Sequence, residues 1–146
     1  MTGVQTCALP IWAISDYDKA IAINPQFAEA YYNRGSVKSA LGDKQGAISD
    51  FDKAIALDPQ AADAYSNRGL AKSALGNNQG AIADFDKAIA INPQSAEAYG
   101  NRGNAKSALG NKQGAIADLS KAAELFRQQG QMDLYQRVMG LIADLK

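Results

Sequence analysis

The chain has 146 residues, and its 15 Lys and Arg residues balance 15 Asp and Glu residues, so the formal net charge at pH 7 is zero. Such a balance gives no global field to attract nucleic acid or an anionic membrane, and we expect neither partner. The sequence has no His and one Cys, which excludes an intrachain disulfide and the commonest general base, and no apolar run is long enough to span a bilayer.

The chain begins with the segment MTGVQTCALPI, residues 1–11. This segment resembles the translated read-through of a common sequencing adapter, and Trp12 after it stands where the later units have Gly. We therefore interpret residues 1–12 as an artefactual leader and give Cys7 no functional weight. A natural leader is the alternative, although no basic residue precedes its apolar run as in a secretory signal. On our interpretation upstream sequence is missing, and a cytoplasmic location is only the default expectation.

From residue 13 onward the sequence repeats with a period of 34 residues. The stretch 28–61 recurs almost verbatim as 62–95 and again, with more changes, as 96–129. A fixed period of this size indicates stacked supersecondary units, each of which contacts its neighbours. We therefore divide the chain into a truncated unit (13–27), three full units (28–61, 62–95 and 96–129) and a C-terminal segment (130–146).

Each full unit predicts two antiparallel helices. An Asp or Asn followed by Pro, as in Asp58-Pro59, favours a helix start, because the side chain accepts a backbone N–H and Pro has none to leave unpaired. The first helix should end at Gly42, which tolerates the left-handed conformation, and Asp43 should cap the second helix. Gly35 lies in mid-helix, where it costs stability in isolation, and therefore indicates that the two helices approach closely.

The C-terminal segment predicts one further helix after Gly130. Its apolar residues follow helical spacing, and such a helix would cover the apolar end of the array. These residues are Met132, Tyr135, Val138, Met139, Ile142 and Leu145. A membrane-surface helix is the less favoured alternative, because the segment lacks a basic polar face.

The recurring positions, with their 34-residue spacing, resemble the tetratricopeptide repeat. In the first unit they are Tyr31, Gly35, Ala47, Phe51, Ala54 and Pro59. The resemblance implies an all-α fold, a right-handed α-solenoid of stacked antiparallel helix hairpins. The chain departs from the family in a regular way, since Arg34 stands where the family usually has Leu, and Lys38 where it usually has Tyr.

An Asp lies 16 residues after the Arg of each unit. We predict an ion pair within each hairpin, worth up to about 1 kcal/mol if partly exposed. The pairs are Arg34 with Asp50, Arg68 with Asp84 and Arg102 with Asp118. Solvated surface charges are the alternative.

We find no catalytic constellation, no metal-ligand spacing and no phosphate-binding loop, so we predict no enzyme activity, no metal site and no cofactor. In the family that the chain resembles, the first helices line a concave groove. The resemblance places nine peptide-binding candidates there: Tyr32, Asn33, Ser36, Ser66, Asn67, Leu70, Gly100, Asn101 and Asn104. The three Asn residues at one-unit intervals can hydrogen-bond a peptide backbone. Equally, they can be solvated or bond the neighbouring helix.

These positions predict a protein–protein interaction scaffold that holds a partner peptide in the concave groove. Chaperone-tail adaptors of the family clamp a carboxylate with Lys and Arg. Of the positions in this chain that match the residues of that clamp, only the one with Asn67 has the residue that the adaptors have. The other matching positions hold Tyr32, Ser36, Glu97 and Asn101. Acids on the rim would instead favour a basic or neutral peptide: Glu29, Asp63 and Glu97.

Two other interpretations stay open at this point. The chain can be the repeat arm of a larger, transferase-like enzyme whose catalytic domain lies in missing upstream sequence. It can also self-associate through the truncated N-terminal face, since the helix at 13–23 lacks a hairpin partner and exposes apolar surface.

Overall fold

The computed structural model describes the backbone of residues 2–146 and the side chains of residues 11–146, and this part of the chain forms eight α-helices. They are α1 (Thr2–Ile23), α2 (Ala28–Ala40), α3 (Lys44–Leu57), α4 (Ala62–Ala74), α5 (Asn78–Ile91), α6 (Ala96–Ala108), α7 (Lys112–Gln128) and α8 (Met132–Leu145). Helices α2 and α3, α4 and α5, and α6 and α7 pack as hairpins. Each hairpin stacks on the next, α1 packs on α2, and α8 packs on α7. The predicted all-α solenoid is confirmed.

Helix α1 continues through the boundary that we predict at residue 12. The side chain of Cys7 lies outside the described residues. Ile11, Trp12 and Ile23 are exposed on this helix, and self-association through this end stays a prediction. Within residues 2–146, none of the helices combines the length and the apolar character that a membrane span requires.

The turns inside the hairpins have the predicted chemistry. Gly42, Gly76 and Gly110 all adopt positive φ, between 81° and 93°, which a residue without Cβ does at no steric cost. The next residue then caps the second helix: the Asp43 carboxylate accepts the backbone N–H of Gly46 at 2.9 Å. Asn77 and Asn111 act in the same way in the following units.

The first helices begin close to the Asn-Pro and Asp-Pro pairs, as predicted, but the prediction that these pairs cap them is wrong. Helix α4 begins at Ala62, and its N-cap position is Ala61, with no side-chain cap. Asp58 is instead the C-cap residue of α3, and its carboxylate accepts the N–H of Gln60 at 3.0 Å across Pro59. The Asp-Pro pair therefore forms a turn between hairpins, a second role in which the same Asp chemistry is favoured.

Close helix packing around glycine is confirmed. Phe51 and Phe85 are completely buried between the helices of their hairpins. A Cβ added to Gly69 would lie 2.8 Å from Cε1 of Phe85, so any larger residue would displace the ring. The array continues into α8 through a different, purely apolar contact, in which Val138 and Ile142 pack against residues of α7.

Candidate functional site

Three hollows beside the first helices in the described part of the chain contain most of the predicted groove residues, although Asn33 and Ser66 line none of the three. A further hollow of about 400 Å³ lies between α2 and α3, beside Tyr31 and Arg34, and contains none of the predicted groove residues. The first hollow, about 430 Å³, lies between α2 and α4 and includes Glu29, Tyr32 and Asp63. The second, about 250 Å³, lies further along the same helices and includes Ser36, Asn67 and Leu70. The third, about 220 Å³, lies between α6 and α8. Its lining residues are Glu97, Gly100, Asn101, Asn104, Leu119, Phe126, Leu134, Arg137, Val138 and Leu141.

The asparagine row is not uniform. The side-chain amide of Asn67 donates to the hydroxyl of Tyr32 in the preceding hairpin at 3.1 Å, so this residue bonds the neighbouring helix. One unit later, the position equivalent to Tyr32 holds Ser66, which lacks the phenol ring and its hydroxyl. Asn33 and Ser66 are half-buried on their helices. The amide of Asn101 lines the third hollow instead, where it offers both a donor and an acceptor.

Residues of α8 complete the third hollow, and the sequence analysis did not place them there. Leu134, Arg137 and Leu141 line it together with the predicted Gly100 and Asn101. The interval from Ser95, which precedes α6, to Gln131, which precedes α8, is 36 residues instead of 34. Counting on by 36 from Asn101 gives Arg137. The sequence therefore does indicate that Arg137 belongs to the row of Asn101, but only if the interval between units is taken as 36 residues at this point and not as 34.

The predicted ion pairs within the hairpins are present and are more buried than we expected. Nε and Nη2 of Arg68 donate to the two carboxylate oxygens of Asp84 at 2.9 and 2.6 Å. The Asp84 side chain is only 4% exposed, and the Lys72 ammonium lies 2.9 Å from its Oδ2. The other two hairpins repeat this arrangement. Bidentate, charge-assisted hydrogen bonds of this kind stabilise the pair and also hold the two side chains in one orientation.

Each of these arginines also joins its hairpin to the second helix of the preceding hairpin or, for Arg34, to α1. Nη1 of Arg68 donates to Asp52 of the preceding hairpin at 2.6 Å, and Asp18 and Asp86 pair in the same way with Arg34 and Arg102. Asp52 precedes Arg68 by the same 16 residues that separate Arg68 from Asp84, so the spacing alone could have predicted the link. The hydrogen bond from Arg68 to Asp84 raises the pKa of the arginine above its ordinary value, burial opposes it, and Asp52 adds to the rise.

The buried carboxylate of the third hairpin, Asp118, should make the protein less stable in acid. Burial alone would raise the pKa of Asp118, but hydrogen bonds from Arg102 and Lys106 outweigh burial and hold the pKa below its ordinary value. Because the folded pKa lies below the unfolded one, this carboxylate stabilises the fold above about pH 4 and loses that contribution as the pH falls through the folded pKa. The melting temperature of Asp118→Asn should therefore depend less steeply on pH between about pH 5 and pH 3 than that of the unmodified protein.

The control is Asp133→Asn, which changes an exposed residue at the start of α8 that makes none of the ion pairs found in the described chain. Asp118 keeps both of its cations in this variant, so the slope of Asp133→Asn should be steeper than that of Asp118→Asn. An equal slope for Asp118→Asn and the unmodified protein would contradict the assignment.

Family comparison agrees with this architecture. Models described as tetratricopeptide repeat match residues 28–60, 62–95 and 85–117, and a TPR repeat model matches residues 13–42. The chain belongs to the tetratricopeptide repeat family. A comparison with curated proteins gives no match.

Solved tetratricopeptide repeat structures superpose on most of the chain. A crystal structure of MamA has a TM-score of 0.81 and 33% identity, covering 87% of this chain and 74% of its own. The TPR2B domain of yeast Sti1, in a complex with an Hsp70 peptide, has a TM-score of 0.77 and 25% identity and covers 81% and 94%. The first TPR of Spaghetti (RPAP3), bound to the HSP90 peptide SRMEEVD, has a TM-score of 0.70 and 25% identity, with the same coverage.

Proposed function

We propose that this protein is a protein–protein interaction scaffold that holds an extended partner segment along the surface lined by α2, α4, α6 and α8. The observation that carries the proposal is the position of the three hollows. Two lie between α2 and α4 and one lies between α6 and α8, and each contains predicted groove residues. The Sti1 and RPAP3 domains, which are similar to this chain, are named as complexes with chaperone peptides, which supports a peptide as the type of ligand.

The charges along the hollows favour a particular kind of partner segment. Glu29 and Asp63 are both exposed and both line the first hollow, and Glu97 lines the third. A segment that places Lys or Arg opposite the first hollow would gain from this pair of acids, whereas an acidic tail such as SRMEEVD would be repelled there. The effect is a preference and not a large part of the affinity, because exposed charges are screened at physiological salt.

The hydrogen bond between Asn67 and Tyr32 gives the surface a fixed element between the first two hollows. Tyr32 borders the first hollow and Asn67 borders the second. Leu70 is 45% exposed beside Asn67. An exposed Leu next to a polar pair is a contact that a partner segment can cover.

Site-specific crosslinking tests the proposal. A photoreactive amino acid introduced at Leu70 should crosslink the partner, and the same group at Ala83, which is exposed on the second helix α5, should not. Recovery of the same partner from both positions, or from Ala83 alone, would move the binding surface away from the first helices. Circular dichroism of both variants should match that of the unmodified protein, because both positions are exposed.

A further inference from the structure

The third hollow differs from the others because a large side chain is missing from it. Along one row of the first helices the residue changes from Tyr32 to Ser66 to Gly100. In the first hairpin the ring of Tyr32 packs at 6.0 Å from the ring of Phe51. In the third hairpin Gly100 has no side chain, and a Cβ built on it would meet only Ala122, at 3.8 Å. The volume that a Tyr fills in the first hairpin is therefore open in the third.

The walls of this hollow are apolar and its rim is polar. Leu119, Phe126 and Val138 are buried and form part of its lining, and Leu134 is half-buried beside them. Asn101, Asn104, Glu97 and Arg137 supply the polar groups. A volume of about 220 Å³ is below the range of roughly 300–1,000 Å³ that is common for small-molecule sites. It is larger than the cavity of about 150 Å³ that holds a benzene-sized group, so it suits one side chain of a peptide.

From these features, and resting on the proposed function above, we infer that the third hollow is a specificity pocket for one leucine-sized side chain of the partner segment. Asn101 and Asn104 hydrogen-bond the main chain of the segment beside that side chain. Arg137 pairs with an Asp or Glu of the segment. Side chains two residues apart lie on the same face of an extended chain, so the recognised pattern is a large aliphatic residue and an acid separated by one residue.

Charge complementarity then fixes the polarity of the whole partner. The first hollow presents the acids Glu29 and Asp63 and no cation, whereas the third combines the acid Glu97 with the cation Arg137. A segment with basic residues beside α2 and with its aliphatic and acidic residues beside α8 is complementary to both the first and the third hollow. The partner is thus recognised by its order of residues and not by net charge.

The pocket is tested with a blocked peptide, acetyl-Ser-Leu-Ser-Glu-Ser-amide, titrated into the full chain while backbone amide shifts are followed by NMR. We expect saturable shifts at Asn101, Leu134 and Arg137. A peptide with Ser in place of Leu should bind about tenfold more weakly or worse, because the burial of the aliphatic side chain is lost.

Variants of the chain itself separate filling of the pocket from misfolding. Gly100→Tyr places in the third hairpin the residue that the first hairpin has, and it should weaken binding at least about tenfold. Gly100→Ala, with room for its Cβ, should bind within about twofold of the unmodified protein. Arg137→Glu should prefer a peptide with Lys in place of Glu, a reversal that a merely unfolded variant would not show.

The possible failures are distinguishable. Equal binding by the Leu and Ser peptides, or by the unmodified protein and Gly100→Tyr, would overturn the pocket. If the peptide then still shifted amides at Ser36 and Leu70, the interaction surface would stand without its pocket. An absence of saturable shifts on α2, α4, α6 and α8, together with no crosslink at Leu70, would overturn both proposals.

Discussion

Gly69→Ala should lower the stability of the protein by about 1–2 kcal/mol, although it adds a better helix former in mid-helix. The added Cβ would lie 2.8, 3.0 and 3.1 Å from three atoms of the Phe85 ring. That ring is completely buried and packs in one cluster with Ala81 and Ala105, so it cannot move without disturbing the next hairpin. Over-packing typically costs about 1–3 kcal/mol, more than the 0.5–1 kcal/mol gained in helix propensity.

Gly140→Ala is the matched control, because the same substitution occurs in mid-helix without a neighbour. Nothing lies within 4 Å of a Cβ built on Gly140 in α8. This variant should be more stable than the unmodified protein by about 0.5–1 kcal/mol. Thermal and urea unfolding of both variants give the comparison. If the two substitutions changed stability equally, the glycine row would have no packing role.

A double mutant identifies the ring as the cause. Phe85→Ala alone should cost about 3–5 kcal/mol, since it empties a buried site. In that background Gly69→Ala has no ring to meet, so its added cost should disappear or change sign. A Gly69→Ala cost that stays the same without the ring would show that the helix backbone, and not Phe85, sets the limit.

The sequence predicts the hairpins well because each signal occurs three times in register. Gly42 and Asp43, for example, are matched by Gly76 and Asn77, and such agreement separates a structural rule from a chance residue. The predicted caps of the first helices fail for a local reason. Asp58 can cap a helix or form a turn with Gln60, and both use the same carboxylate and a backbone N–H. The choice depends on where α3 ends, which is a matter of packing.

The candidate site is less predictable because it depends on differences between the units. Repetition indicates that position 100 belongs to the row of Tyr32, but not what surrounds it. Helix α7 is three residues longer than α5 and the turn after it is one residue shorter, so α8 begins two residues later than the repeat period would place it. In this register Arg137 and Leu141 line the third hollow with Gly100. A change in helix length at one end of the array therefore creates a surface that the repeat itself does not encode.

The junction between α7 and α8 also departs from the electrostatic pattern of the array. The position of Asp52 and Asp86 is occupied in the third unit by Ser120. Counted on by 36 from Arg102, the arginine position of α8 holds Val138, which is buried against α7. The ion-pair pattern therefore gives way to apolar packing at this junction.

Arg68→Met should be among the most destabilising single changes, at about 3 kcal/mol. It leaves the Asp84 carboxylate, only 4% exposed, with the Lys72 ammonium as its remaining cation, and a buried carboxylate that loses its main partner keeps the cost of desolvation. Asp52→Ala removes the other contact of the same arginine, but Asp52 is 56% exposed. Solvent screens that pair, so this control should cost at most about 1 kcal/mol.

Replacing both partners decides how much of this loss comes from the pair. Arg68→Met with Asp84→Leu removes both members of the pair, so the double variant should be more stable than the sum of the single losses predicts, by at least about 1.5 kcal/mol. Additive losses in urea unfolding would mean that the two residues do not interact. Lys72 should also be replaced in a further variant, because the double variant removes the Asp84 carboxylate that pairs with it.

Hydrogen exchange of Arg68→Met then tests the link between hairpins. Arg68 in α4 is bonded to Asp84 in its own hairpin and to Asp52 in the preceding hairpin. It should therefore resist both the opening of its own hairpin and the separation of the two hairpins. In a linear array, stability is approximately the sum of unit terms and nearest-neighbour terms. Loss of Arg68 should therefore reduce protection in α4 and α5 more than in α7 and α8. Equal loss of protection in all helices would indicate that the array unfolds as one unit and that the arginine links do not set its internal boundaries.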